Sequence, residues 1–235
     1  MLAIFVYVGV EVAIGSNLGE LLKHKDFGSH ESSEVAPYIA MFWGSLMIGR
    51  WAGAINAFDL RRQTKLILRF VVPLVAFLVV LGLTKAAGYS IDSLYYYIVC
   101  VLVQIAGFYL TNDKPALTLG LFGILGTLAL VIGLSTTGDI AIYAILSGGL
   151  FCSIMWPCIF SLALGGLGKY QSQGSAFLIM MILGGALIPP LQGKLADMIG
   201  SIQQSFIVGV VCFTYLAFYA MYARNTLREQ GVKFE

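Results

Sequence analysis

Charge is what this sequence has least of. Its 12 acidic and 14 basic side chains in 235 residues amount to 11% of the chain, where soluble domains carry about a quarter. Such a chain cannot cover its surface with polar groups, so a water-facing globular protein is excluded. The net charge of +2 is too small to suggest nucleic acid, and no basic cluster is interleaved with aromatics. Cysteine is sparse as well. Cys100, Cys152, Cys158 and Cys212 all lie inside apolar stretches, at spacings that fit neither a zinc site nor a disulfide framework. His24 and His30 share one connector with Asp26, Glu31 and Glu34. A metal site is the functional reading of that group, and a solvated Gly/Ser-rich loop is the plainer one. No GxSxG, HExxH, Walker or GxGxxG pattern occurs, nor a tight cluster of carboxylates. The chain is therefore not expected to be an enzyme, and no cofactor is implied. A cleavable signal peptide is not expected either, since the first segment lacks a basic leader and is too long for a signal core. That segment enters hydrocarbon at Met1 with no leading polar residues, an unusual start for a protein.

What the sequence has is apolar length. Hydrophobic residues make 59% of it, and the mean hydropathy is +0.87. Runs of about 20 apolar residues span a bilayer as helices, and the chain reads as spans at 1–22, 36–57, 66–84, 92–111, 115–134, 139–164, 174–193 and 202–223. Without water to satisfy the backbone these runs must be helical, whereas a barrel would need alternating strands of about 10 residues. The expected fold is thus an all-α polytopic bundle of about eight membrane helices, a single transmembrane domain over 1–235. With the N-terminus inside, Arg61, Arg62, Lys65, Arg69, Lys114, Lys169, Arg224, Arg228 and Lys233 fall on the inner side. Lys23, Lys25, Lys85 and Lys194 fall outside. That bias puts both termini in the cytoplasm.

Small residues recur where helices could approach closely. Ser45, Gly49 and Gly53 are spaced by one turn, Gly120, Gly123 and Gly126 recur every three residues, and Gly184–Gly185 interrupt the seventh span. Pro73, Pro157 and Pro189–Pro190 remove backbone donors, so bends are expected there.

Against this background the ionisable residues stand out. Glu11 lies in the middle of the first span, where an unpaired charge costs roughly 2.5–3.5 kcal/mol or more. Tyr7, Glu11 and Gly15 share one helix face, followed by Ser16 and Asn17. That patch reads as facing a sugar or a proton, or as a neutral Glu bonded to a neighbouring helix. Arg50, near the cytoplasmic end of the second span, reads as structural or gating. It would snorkel, cap, or pair with an acid such as Asp59 from elsewhere in the bundle, since Asp59 is too far along the same helix for a one-turn pair. Trp43 and Trp156 lie inside spans rather than at their ends. Trp156, beside Pro157 and near Ser153, could stack on a sugar ring or simply pack. Gln192, Gln171, Gln173 and Gln104 are weaker amide candidates.

The run GLFCSIMWPCIFSLALGGLGKYQSQGSAFLIMMILGGALIPPLQGKLAD at 149–197 resembles the fucose permease and glucose/galactose transporter branch of the major facilitator superfamily. So do YVGVEVAIGS at 7–16 and IGRWAGA in the second span. The three blocks cover about a third of the chain, in the order of the family's C-terminal half. The resemblance implies a two-bundle transporter with sugar near the midplane. This chain would be the second bundle, and an N-terminal bundle carrying the family's main proton-coupling carboxylates would be missing from it. Glu11 matches the family's seventh-helix Glu. Such a half has six helices, so the eight counted here imply an inserted pair between the second span and the 149–197 block. The expectation is secondary active transport of a fucose-, glucose- or galactose-type sugar in a bacterial inner membrane, coupled to protons. Glu11, Asn17, Trp156 and Gln192 would line the path. Arg50, Asp59, Arg61 and Arg62 would serve gating or structure, with 59–65 as a cytoplasmic latch whose arginines meet acidic groups or helix C-termini. The expected partners are sugar, protons, the lipid bilayer and the missing bundle.

A non-transporting membrane sensor or scaffold, or a transporter of another small solute, stays open beside this expectation. The upstream DNA separates the first of these rivals. A transporter half predicts an in-frame coding stretch of about six further spans before Met1, whereas a stop codon and ribosome site there would favour the self-contained bundle.

Overall fold

Every apolar run closes its hydrogen bonds within itself, because nothing in hydrocarbon can substitute for the i to i−4 partner. The structure, a computed structural model, describes residues 1–55, 58–112 and 114–232. Among these it forms eight membrane-length helices: α1 (Leu2–Leu22), α2 (Ser32–Ala54), α3 (Arg62–Ala86), α4 (Asp92–Thr111), α5 (Pro115–Ser135), α6 (Gly138–Leu164), α7 (Gly168–Ile199) and α8 (Ile202–Glu229). All but α2 are long and apolar enough to cross a membrane by length and composition. Helix α2 has the length, at 23 residues, but carries Glu34 and Arg50. The expected spans are recovered, and several helices run further than their apolar cores. The N-terminus of α2 is extended to Ser32 by a carboxylate–amide bond from the Glu31 N–H to Glu34 at 3.2 Å. The end of the expected second span at 56–57, and Lys233 of the charge tally, lie outside the described residues.

Helix α1 is the hub. It packs on α2, α6, α7 and α8, and its residues from Ala3 to Leu22 are almost all buried or half-buried. Around it the small residues mark the tightest contacts. A β-carbon on Gly184 would stand 1.8 Å from the Phe5 carbonyl oxygen, and Gly9 faces Ile188 in the same α1–α7 crossing. The three-residue glycine repeat of α5 lies against α8, with Gly123 on Ala217 and Gly126 on Phe213. Ser45, Gly49 and Gly53 of α2 face α4 and α6 through Tyr97, Ser153 and Ile154. Helix α3 lies outermost. It buries one stripe (Pro73, Ala76, Phe77, Val80, Leu81, Thr84) on α2 and α4 and leaves most of its remaining length exposed or half-buried.

The breaks fall where backbone donors or helix-favouring residues run out. Helix α6 is interrupted at Ser147 and again at Ser153–Ile154. The second break precedes Pro157, whose missing N–H leaves the Ser153 carbonyl without its helical partner. Helix α7 tightens into a 3₁₀ turn at Met181–Leu183, just before Gly184. At Pro73 and Pro189–Pro190, where bends were expected, the helices run on without interruption.

The α5–α8 crossing gives a stability test. A β-carbon at Gly123 would sit 2.9 Å from the Ala217 backbone nitrogen, while at Gly82 on α3 it would meet nothing within 4 Å. Gly123→Val should lower stability in detergent by about 1–3 kcal/mol, and Gly82→Val should leave the melting temperature near wild type. Equal behaviour of the two variants would mean that α5 and α8 are not in close contact.

Candidate functional site

Helices α1 and α2 run antiparallel and touch through Gly15, which faces Phe42 and Trp43, and Gly19, which faces Ile39 and Val35. One turn further along α1 and two turns further along α2, the same crossing brings Glu11 and Arg50 together. The Arg50 guanidinium donates to both Glu11 carboxylate oxygens at 3.4 Å. The Tyr7 hydroxyl, one turn before Glu11 on α1, donates to Oε2. The Glu11 side chain is 13% exposed and that of Arg50 is 51% exposed, so the carboxylate is sheltered and the cation reaches the open side. A buried carboxylate needs this arrangement, since charge without a partner is costly away from water.

Helix α6 adds the aromatic wall. The Trp156 ring meets Tyr7 edge-on with centroids 6.0 Å apart, and Phe160 stacks on Trp156 at 4.9 Å. Beside Arg50 a cavity of about 470 Å³ opens between α2 and α6, floored by Phe108, Thr118 and Ile154 and edged by Pro157 and Ser161. A carboxylate, a guanidinium and aromatic faces thus converge on one open face. The carboxylate can accept bonds from hydroxyls, Arg50 can donate to ring or hydroxyl oxygens, and an indole face suits the C–H side of a polyol.

The remaining sequence candidates fall in different places. Asn17 is half-buried toward the other end of α1, its amide donating to the Ala13 carbonyl at 2.9 Å. Gln192 does not join the group. It is 1% exposed and donates to Ser205 at 3.2 Å, tying α7 to the start of α8. Arg50 pairs with Glu11 across helices rather than with Asp59, which is exposed on the α2–α3 connection. Arg61 caps α3 and Arg62 is its first residue; both are exposed and make no ion pair among the described residues. Trp43 is 44% exposed and edge-on to Phe42. His24 lies 3.6 Å from Asp26 and His30 3.4 Å from Glu34. No trio of potential metal ligands occurs among the described residues, and the connector is anchored by the buried Phe27. All four cysteines are free thiols.

Two features escaped the sequence reading. The partner of Glu11 is one, and its only signal was that Arg50 lies within the small-residue stretch of α2, beside Gly49. The other is the buried polar contact of Gln104 and Tyr97 on α4 with α6. A single mid-helix glutamine gave little warning of it.

Comparison with models of protein families gives no match. Among curated proteins the chain is 35% identical over 220 residues to a glucose/galactose transporter of Brucella abortus, covering 94% of this chain and 40% of that protein. It is 31% identical over 158 residues to an L-fucose-proton symporter of Haemophilus influenzae, covering 63% and 36%. The crystal structure of the major facilitator superfamily transporter FucP in its outward conformation superposes with a TM-score of 0.66 at 20% identity, over 94% of this chain and 41% of that one. The bundle therefore has the major facilitator fold, and the chain spans about 40% of the length of the relatives it matches.

A double-mutant cycle on Glu11→Gln and Arg50→Ala measures the pair. Because Arg50 is half exposed, the coupling should be about 0.5–1 kcal/mol in thermal unfolding in detergent. Additivity within about 0.3 kcal/mol would show that the two charges do not support each other.

Proposed function

The chain belongs to the major facilitator superfamily, in its fucose permease and glucose/galactose transporter branch, and from that premise we propose that it is the C-terminal bundle of a proton-coupled sugar transporter. The single observation that carries this reading is the sheltered Glu11, bonded by Tyr7 and Arg50 and flanked by Trp156 on one open face. A carboxylate held in a membrane bundle is retained for a polar cargo. The names of the relatives, glucose/galactose transporter and L-fucose-proton symporter, direct the choice to a monosaccharide.

On this reading sugar lies between this bundle and a partner bundle that completes the cavity. Glu11 accepts from its hydroxyls, Trp156 packs on its C–H face, and Asn17 lines the path toward the other end of α1. Rocking of one bundle against the other alternates access. Arg50 acts as the gate: with Glu11 ionised it is held on α1, and a proton on Glu11 releases it toward the adjoining cavity. Asp59, Arg61 and Arg62, exposed and unpaired among the described residues, form the cytoplasmic latch toward the partner bundle. Gln192 is left to hold α7 on α8. The protein would sit in a bacterial inner membrane with both termini cytoplasmic.

The inserted pair on this reading is α3–α4. Helix α5 joins α6 directly and is locked into α8 by its glycines, whereas α3 adds only an outer stripe. The pair would thicken the wall behind α2 and α6, with Phe108 of α4 its contribution to the cavity floor.

Uptake of labelled glucose, galactose and fucose by cells expressing the full-length protein tests the proposal. Losing a hydrogen bond to a charged group costs about 1.5–3 kcal/mol, so Glu11→Gln should cut uptake by roughly ten- to a hundredfold with membrane insertion intact. Trp156→Phe should retain more activity than Trp156→Ala. Wild-type uptake in the Glu11 variant would return Glu11 to a structural role, and uptake of other solutes alone would reassign the substrate.

A further inference from the structure

Helix α4 presents a row of donors to the backbone of α6. Tyr97 Oη donates to the Leu146 carbonyl at 3.1 Å, the Cys100 thiol points to the Tyr143 carbonyl at 4.0 Å, and Gln104 Nε2 donates to the Leu150 carbonyl at 2.9 Å. Positions 97, 100 and 104 are one stripe of a helix. Gln104 Nε2 also reaches Ser153 Oγ at 2.9 Å, which is the residue where α6 breaks. Both side chains are fully buried. Gly49 of α2 closes the junction from the third side, because a β-carbon there would lie 1.7 Å from Ser153 Oγ and 2.5 Å from Gln104 Nε2.

The orientation of this amide is informative. Among the described residues Gln104 Oε1 is buried without a hydrogen-bond partner, so the contacts of this amide run through Nε2. Both contacts fall at the break in α6. Beyond the break begins the segment Met155–Leu164, which carries Trp156 and Phe160. The direction in which that segment leaves Ser153 decides where the indole lands.

We propose that Gln104 is a positioning residue of the sugar site: by bonding Leu150 and Ser153 at the α6 break, it holds the following segment so that Trp156 stands against Tyr7 beside Glu11. That the site takes a sugar rests on the proposed function, while the placement of Trp156 rests on the α4–α6 contacts. Through this bond α4 sets the direction of the α6 segment that carries Trp156.

The test uses Gln104→Met in the full-length protein, labelled with 5-fluorotryptophan. The Trp156 fluorine resonance is identified by its loss in Trp156→Phe. Replacing the amide with a thioether of similar size should move the Trp156 resonance while that of Trp43 stays in place. In uptake it should raise the apparent KM by about tenfold with Vmax within about twofold, the signature of a displaced binding wall, and Gln104→His, which keeps a donor, should restore much of the KM. An unmoved Trp156 resonance with wild-type KM would overturn the proposal, and so would equal shifts at Trp43 and Trp156, which would mark general loosening. If the Met variant does not accumulate in the membrane, Ser153→Ala, which removes one of the two contacts, is read in the same way with a smaller shift expected. Should the wild-type protein take up no sugar, the transport reading falls, and the fluorine spectrum still decides the placement of Trp156.

Discussion

A carboxylate kept away from water has to be met by protons or positive charge from the chain itself, and Glu11 is met by both. Tyr7 supplies a hydroxyl from the preceding turn, and Arg50 supplies a guanidinium from the antiparallel α2. The requirement reaches well beyond one pair. To bring Arg50 opposite Glu11, α1 and α2 must cross at the register fixed by Gly15 against Phe42 and Gly19 against Ile39. The Tyr7 ring then becomes the surface on which Trp156 rests. Register, polar satisfaction and the aromatic wall are therefore consequences of one constraint.

The same scarcity of polar partners shapes α6. Its two interruptions free carbonyls that water would ordinarily bind, and in a membrane bundle these groups need donors from neighbouring helices. Tyr97 on α4 donates to the Leu146 carbonyl at the first interruption, Gln104 joins the Ser153 N–H and hydroxyl on the Leu150 carbonyl at the second, and Ser45 on α2 meets the Tyr97 hydroxyl at 2.9 Å. The interrupted α6 is thus held by specific bonds from α4 at its breaks.

Packing elsewhere is by approach rather than by bonding. The α1–α7 and α5–α8 crossings set glycines directly against the neighbouring helix, Gly184 on the Phe5 backbone, Gly123 on Ala217, and Gly9 and Gly126 on the Ile188 and Phe213 side chains, so dispersion contacts accumulate where lipid gives no hydrophobic drive. Helix α7 makes this contact along one narrow stripe of Leu178, Gly184, Ile188 and Gln192 and is otherwise largely exposed. Two kinds of surface are thereby left uncovered: the exposed apolar sides of α3 and α7, and the open face with Arg50, Trp156 and Ser161. On the proposed function the second is where a partner bundle would close the cavity.

The sequence by itself determined the solvent, the helices and their approximate ends, because membrane length and apolarity act locally and need no knowledge of neighbours. It also singled out Glu11 and set Tyr7 on the same helix face four residues before it, while the bond between them came with the structure. Tertiary structure alone decided what lies across the gap. It gave Arg50 to Glu11 instead of Asp59, took Gln192 out of the open face and into the α7–α8 junction, and made Gln104 a buried donor to α6. A linear chain carries the period of a helix but not the rotation and register at which two helices meet, and those angles settle which polar group satisfies which.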